Sequence, residues 1–326
     1  MNIAIIGCGL IGQKRAKTLE NACLTVCVDH IKEKAEYLAK QYPGCIALTD
    51  WKEAIARPDV DIVIISTLHA TLAEIGLAAT LAGKHVLMEK PAARRTQELS
   101  PLIEASQKNN TLIRVGFNHR YHRAFRKARE LVDQDAIGDL MFIRARYGHG
   151  GRIGYDKEWR AQPELSGGGE LIDQGVHLID LARWFLGDFT EVQGHANTYY
   201  WDMPVDDNAF MLLKTPKKQI AFLHASCTEW KNLFSFEIYG RKGKIDITGL
   251  GGSYGTERIT FYKMLPTMGP PETFIWEYPM IDDSWQVEMN EFLEDIRENR
   301  QPAVNIYDAH ATLKIVEEIY KTSHIS

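Results

Sequence analysis

The sequence predicts an α/β protein of two domains: a doubly wound parallel sheet, then an α+β domain built on an antiparallel sheet. Three observations predict it. Up to about Asn118, short apolar runs alternate with helix-period stretches, the order in which parallel sheets are wound. From Glu191 to Tyr262, short alternating runs are separated by Gly, Pro, Asn and Asp, which reads as antiparallel strands. The length of 326 residues suits two domains, at roughly 100–200 residues each.

Taken in order, Asn2–Ile6 is an apolar strand and Leu10 to about Glu20 a helix. Leu24–Val28 is a strand and Ile31–Gln41 a helix. Val60–Ile65 is rich in β-branched residues, as a strand buried on both faces requires. Ala70–Ala82 is helical and Gly83 ends it; His85–Met88, Thr96–Asn109 and Leu112–Phe117 continue as strand, helix and strand. Beyond them come a basic helix, Arg123–Asp133, an alternating strand, Leu140–Tyr147, and a long helix, Glu170–Leu186. Ala209–Lys214, Ile220–Ser226 and Phe234–Tyr239 are strands, and Ser284–Glu298 and Ile306–Ser323 are helices. The expected domains are 1–118 and 119–326, with the C-terminal helix free to pack back on the first.

Composition narrows the function. A net charge of -5 offers no general basic field for nucleic acid. No apolar run reaches the ~18 residues of a spanning helix, and Met1–Gly7 lacks the basic start of a secretory signal. The five cysteines include no C-x-x-C pair, so buried reduced thiols in a cytoplasmic protein are expected rather than a disulfide framework or a zinc ribbon.

Gly7-Cys8-Gly9-Leu10-Ile11-Gly12 is a G-x-G-x-x-G run between a strand and a helix. In that context the glycines allow a tight turn, close approach of backbone to a pyrophosphate, and close helix–strand packing. The N–H groups at Leu10 and Ile11 open the helix toward the phosphates. Asp29 ends the next strand, where a carboxylate takes the ribose hydroxyls of NAD, and His30 rather than Arg follows it. The expected domain is of Rossmann type, and the expected cofactor is NAD, not NADP.

Two further blocks carry a resemblance. Met88-Glu89-Lys90-Pro91 follows the fifth expected strand, and Gly167-Gly168-Gly169-Glu170 runs on through Asp173, Gly175, His177 and Asp180. Together with the glycine loop they resemble the glucose–fructose oxidoreductase / inositol dehydrogenase (Gfo/Idh/MocA) family along essentially the whole chain. The resemblance implies a large open, mainly antiparallel sheet in the second domain, often used for oligomerisation, and hence a homo-oligomer, a dimer or tetramer. It also implies a catalytic set of Lys90, Asp173 and His177, and often a cis peptide at Pro91. Ser66, Thr67, His69, Glu89 and Lys90 are expected near the cofactor. Where the family usually reads Thr-Pro-Asn-x-x-His, this chain has Thr67-Leu68-His69-Ala70-Thr71-Leu72.

The chemistry of these residues is consistent with the resemblance. Oxidising a secondary alcohol requires a base for the hydroxyl proton, and imidazole titrates in the right range. Asp173 and His177, four apart, share a helix face, so Asp173 can orient the imidazole or bind a hydroxyl. Lys90, at a strand's carboxyl end, can stabilise an alkoxide, and Glu89 can position it. Read without the resemblance, His177 is equally a core histidine, Lys90 a solvated lysine, and Asp173, His177 and Asp180 a conceivable metal site, although nicotinamide chemistry needs no metal. Asp180 is expected to be structural, with Arg183 as one partner.

The resemblance implies substrate contacts from Asn118 and Arg120, which match a region of the family that lines the cleft, and from Asp173 and His177; Tyr155, Trp159 and Arg160, in an aromatic, basic loop, are expected to add to them. Arg120, Arg123, Arg126 and Arg129 recur at every third residue, as a solvated helix face or a site for an anionic substituent. The expected activity is hydride transfer between NAD and a ring carbon of a sugar, cyclitol or nucleotide sugar. The alternatives are an NAD-dependent glycoside hydrolase working by transient oxidation and a non-catalytic NAD-binding sensor. Neither the sugar, the carbon oxidised nor the direction is readable from the sequence.

Overall fold

The structure is a computed structural model that describes residues 1–267 and 269–323. Contacts divide the chain into two compact units, Met1–Phe117 with Trp285–His310, and Asn118–Ser284 with Ala311–Ser326.

The first unit is wound as expected. Its strands are β1 (Asn2–Ile6), β2 (Cys23–Val28), β3 (Ile46–Leu48), β4 (Ile62–Ile65), β5 (His85–Glu89) and β6 (Ile113–Gly116). They lie in the order β3-β2-β1-β4-β5-β6, all parallel. Helices α1 (Leu10–Ala16), α2 (Lys32–Ala39), α3 (Trp51–Ile55), α4 (His69–Leu81) and α5 (Thr96–Asn109) connect them. The order reverses at β1/β4, the topological switch point at which such sheets bind dinucleotides. β3 and α3, in 46–55, are short elements that apolar periodicity did not reveal.

The second unit contains α6 (Arg123–Asp133), β7 (Leu140–Gly148), α7 (Pro163–Ser166), α8 (Val176–Leu186), β8 (Glu191–Asn197), β9 (Asn208–Lys214), β10 (Ile220–Ser226), β11 (Leu233–Gly240), β12 (Gly243–Thr248), β13 (Glu257–Lys263) and β14 (Glu272–Tyr278). Among the described residues these strands form an eight-stranded sheet, β14-β13-β12-β11-β7-β10-β9-β8, antiparallel except where β10 runs parallel to β7. α8 packs on β7 and β10, and α6 on β13. The buried side of β11 is Phe234, Phe236 and Ile238, alternating with half-exposed residues.

Two expectations need correcting. The expected boundaries ran 1–118 and 119–326, but Asn118 belongs to the second unit and 285–310 to the first. The helix that joins the first unit is therefore not the terminal one but α9 (Ser284–Glu298). Its Met289, Phe292 and Leu293 enter the core of Ile3, Ile5, Ile62 and Ile64. Of the terminal helix, α10 (Ile306–Ser323), only the first turn belongs to the first unit. Periodicity shows that a helix has an apolar stripe, not which sheet the stripe covers.

Candidate active site

In the first unit the glycine loop joins β1 to α1. A Cβ on Gly12 would lie 1.9 Å from the Gly7 carbonyl oxygen, so the loop and helix meet there with no room for a side chain. At Gly9 a Cβ would meet nothing within 4 Å. Space is thus closed on the packing side and open at the glycine that faces outward from the turn. The Asp29 carboxylate, buried at the end of β2, accepts the Cys8 N–H at 2.9 Å and the Ile31 N–H at 2.9 Å. Those bonds fix its direction and leave lone pairs for a diol. Ser66 donates its hydroxyl to the Gly7 carbonyl at 2.8 Å, Thr67 accepts from Thr71 at 2.9 Å, and His69 is buried at the first turn of α4. His30 is 87% exposed beside Asp29. An open glycine, a closed helix–strand contact and an oriented carboxylate together fit a dinucleotide of the NAD type.

Lys90 lies just past β5, half-buried, and the Lys90–Pro91 peptide is cis, as the resemblance implied. Glu89 has a partner the sequence did not suggest. Fully buried Arg15 donates to Glu89 at 2.8 Å, pairs with Glu288 on α9, and stacks 4.3 Å from the Trp285 ring. Burial opposes the Arg15 charge, but Glu288 and Glu89 outweigh it and hold the guanidinium above its usual range.

In the second unit the expected helix Glu170–Leu186 opens as a π turn, Leu171–Gly175, before α8. Such turns are frequent at functional sites. Asp173 lies in it and accepts from Arg160 at 2.8 Å. Asp173 in turn raises the Arg160 pKa against the effect of burial. Arg160 also lies 4.5 Å over the Trp159 ring. Thus Trp159, Arg160 and Asp173 are brought together.

His177 and Asp173 are each 4% exposed. The His177 ring stands 3.7 Å from that of His119, centre to centre, at 49°. His119 meets Tyr147 edge-on at 5.2 Å. Burial, then neighbouring Tyr254, holds the Tyr147 hydroxyl well above its usual range, so it stays a neutral donor. His149 meets Tyr155 edge-on at 5.5 Å, and burial lowers its pKa although Asp173 opposes that. Burial likewise raises the Tyr155 hydroxyl.

The glycine triplet has a tertiary reason. A Cβ on Gly169 would lie 1.9 Å from the Asp206 carbonyl oxygen. The fully buried Asp206 carboxylate accepts the Gly169 N–H at 2.9 Å, the Leu171 N–H at 2.7 Å and the Tyr320 hydroxyl at 2.8 Å. Burial nevertheless lifts its pKa. Asp206 and Tyr320 had no motif to mark them.

Other residues fall differently from expectation. Asp180 pairs with Arg120 at 2.8 Å, while Arg183 takes Asp188 at 3.0 Å. Arg120 is therefore tied to a buried carboxylate, and Asn118 donates to the Ser284 hydroxyl at 3.1 Å. Arg123 and Arg126 share Asp283, and Arg129 takes Asp133. The arginine row is a paired, partly solvated face. Among the described residues no group of three or more His, Cys, Asp or Glu could hold a metal ion.

Residues 1–117 match the oxidoreductase family with an NAD-binding Rossmann fold, and residues 125–246 match the GFO/IDH/MocA C-terminal domain. Levoglucosan dehydrogenase of Pseudarthrobacter phenanthrenivorans is 27% identical over 285 residues, covering 75% of this chain and 73% of that one. The scyllo-inositol 2-dehydrogenase (NAD(+)) of Bacillus subtilis is 26% identical over 331 residues, covering 96% and 91%. A solved levoglucosan dehydrogenase, in complex with NADH and levoglucosan, superposes with a TM-score of 0.89 at 23% identity, covering 99% and 97%. The chain belongs to the GFO/IDH/MocA family of NAD-binding oxidoreductases.

Proposed function

We propose that the chain is an NAD-dependent dehydrogenase that oxidises, or in reverse forms, a secondary alcohol on a sugar or cyclitol ring. The carrying observation is the pair of buried groups in the second unit, Asp173 held by Arg160 and His177 set against His119. A sensor needs neither. The relatives' names, levoglucosan and scyllo-inositol dehydrogenases, support a polyhydroxylated ring as substrate.

In this reading His177 takes the hydroxyl proton at its imidazole nitrogen. Asp173, held by Arg160, accepts a hydrogen bond from a substrate hydroxyl and orients the ring. Lys90 donates to the reacting oxygen and offsets its developing negative charge. Arg120 acts through Asp180, as a brace for α8. The loop Gly7–Gly12 and Asp29 hold NAD, which when bound supplies the hydride-accepting carbon. Asp29 repels a 2′-phosphate, so NAD is preferred to NADP.

Incubation with NAD and a panel of inositols, free hexoses, sugar acids and nucleotide sugars tests the reading through NADH absorbance. Stoichiometric NADH is expected with at least one ring polyol. Release of free sugar without NADH would instead mark a glycoside hydrolase. Asp29→Ala narrows the ratio of kcat/KM for NAD over NADP; an unchanged ratio removes Asp29 from cofactor choice.

Two wider proposals complete the reading. The outer face of the eight-stranded sheet, with Phe210, Leu212 and Phe222 exposed, supports a homo-oligomer. Light scattering at micromolar concentration is expected to exceed the 37.0 kDa of one chain. Five cysteines free of disulfides support residence in the cytoplasm, and among the described residues no helix is long and apolar enough to cross a membrane.

A further inference from the structure

We infer that the second unit carries an aromatic subsite for a further sugar ring, so that the substrate is a glycoside or oligosaccharide rather than a lone ring. The inference rests on the sugar-dehydrogenase reading and adds to it the size of the substrate.

The subsite begins where the candidate active site ends. His149 lies 3.6 Å from the carboxylate of Glu170, the residue that precedes the π turn carrying Asp173. From His149 a chain of rings runs outward: Tyr155 at 5.5 Å, then Trp201 a further 5.7 Å on, then Tyr200 at 5.1 Å and Trp230 at 4.5 Å. The backbone follows the same line. The Glu229 N–H donates to the His149 carbonyl at 3.0 Å, and a Cβ on Gly150 would lie 3.0 Å from the Trp230 Cα. Trp230 is therefore directly beside the loop that leaves His149.

The inner rings are covered, but the outer two are not. Tyr200 is 59% exposed and Trp230 64%. Large aromatic surface left in water marks a contact surface when it is contiguous. This one is also held rigid. The buried Asp207 carboxylate accepts the N–H groups of Tyr199, Tyr200 and Trp201 at 2.9, 2.7 and 3.0 Å, and the Trp201 indole donates to the Cys227 carbonyl at 3.0 Å. Trp230 sits at φ 55°, a left-handed conformation uncommon outside glycine. Its ring meets Tyr200 edge-on and still leaves most of its surface in water.

Such a shelf suits a pyranose. The axial C–H groups of a sugar ring form an apolar face that packs on an electron-rich aromatic face, and its equatorial hydroxyls stay in water. Tyr and Trp offer that combination of apolar body and polar edge. The occupant is a sugar because the rings continue from the groups proposed to act on one.

The experiment compares a free hexose with its methyl glycoside and with disaccharides such as cellobiose and maltose, in wild type, Trp230→Ala and Tyr200→Ala. Neither residue belongs to the proposed catalytic or cofactor groups. The expected result is a kcat/KM at least tenfold higher for one of the disaccharides than for the hexose. Trp230→Ala removes that excess, mainly through KM, and leaves the hexose within twofold. Equal values for hexose and disaccharides, or equal losses for both in Trp230→Ala, overturn the inference. So does a smaller assembly by light scattering in the variant, which makes the shelf a contact between copies of this chain. A binding arm separates this inference from the reading beneath it. Disaccharide quenching of tryptophan fluorescence in wild type, lost in Trp230→Phe, upholds the subsite even if no sugar reduces NAD. If no sugar reduces NAD and no quenching depends on Trp230, both fall.

Discussion

The dinucleotide loop and the Asp173/His177 group make their sites by opposite means. In the loop the backbone does the work, and what matters about Gly9 and Gly12 is the side chain each lacks: open space at one, and a contact of 1.9 Å for any Cβ at the other. Around His177 the side chains do the work. They come from separate stretches: His119 after β6, Tyr147 in β7, Arg160 in a short 3-10 turn, Asp173 in the π turn. A site of the first kind fails by steric intrusion. One of the second kind fails by loss of a partner. Substitutions in the two regions should therefore separate folding, cofactor binding and turnover in different ways.

The largest effect is expected at His177. In His177→Ala, kcat for alcohol oxidation falls about 10²–10⁴-fold, the usual cost of losing a general base. NADH affinity, read by fluorescence titration, stays within about twofold, since the glycine loop belongs to another part of the chain. The limb of the pH profile that belongs to its imidazole disappears with it. A variant with near-normal turnover would return His177 to the role of a core histidine.

Gly9 and Gly12 test the other side of the comparison. Gly12→Ala forces apart a helix–strand contact with no slack and should cost ~1–3 kcal/mol of stability by overpacking, seen as a lower Tm. Gly9→Ala should leave Tm unchanged and weaken NADH about tenfold, ~1.4 kcal/mol, because its methyl occupies space proposed for the pyrophosphate. If both variants lose Tm equally, the loop is a packing device at both glycines.

Asp206 asks whether the second unit also depends on backbone support. In Asp206→Ala the buried N–H groups of Gly169 and Leu171 and the Tyr320 hydroxyl lose their acceptor, a cost of about 1–3 kcal/mol in urea unfolding. Tyr320→Phe, which removes one of those bonds, should cost about 1 kcal/mol. A neutral Asp206→Ala would mean that water takes over the acceptor's place.

The smallest effect concerns pH. Burial lowers the pKa of His85, against Asp61, and its Nδ1 accepts the Leu112 N–H at 3.1 Å, a bond that only the unprotonated ring can make. A histidine whose folded pKa lies below its unfolded value, about 6.5, takes up more protons when unfolded, so stability is lost as pH falls below that value. His149 and His224 are shifted the same way, burial first. Tm should therefore fall between pH 7 and 5, less steeply in His85→Asn. An equally steep fall in that variant would assign the loss to other groups.

The legible parts of the fold were those with local causes. The strand–glycine–helix run, Asp29 at the end of β2 and the helix at 284–298 each declare themselves within a short window. The candidate site was legible through contiguous motifs, but partner choice was not. Glu89 was expected to position Lys90, yet it takes Arg15, and Asp180 takes Arg120, a partner the sequence did not suggest. Asp206 and Tyr320 were invisible, because nothing near either indicates that they meet the glycine triplet.

From its sequence alone this protein was determined to have a parallel α/β unit with a dinucleotide loop and a second unit on an antiparallel sheet, because periodicity and glycine spacing act over a few residues. Only the tertiary structure decided that α9 returns to the first unit, that Arg15 bridges to Glu288 across 273 residues of chain, and that His119 lies against His177. Ion pairs and ring contacts are chosen by distance in the folded chain, and buried charges must find partners wherever packing has placed them. No spacing along the sequence encodes that choice.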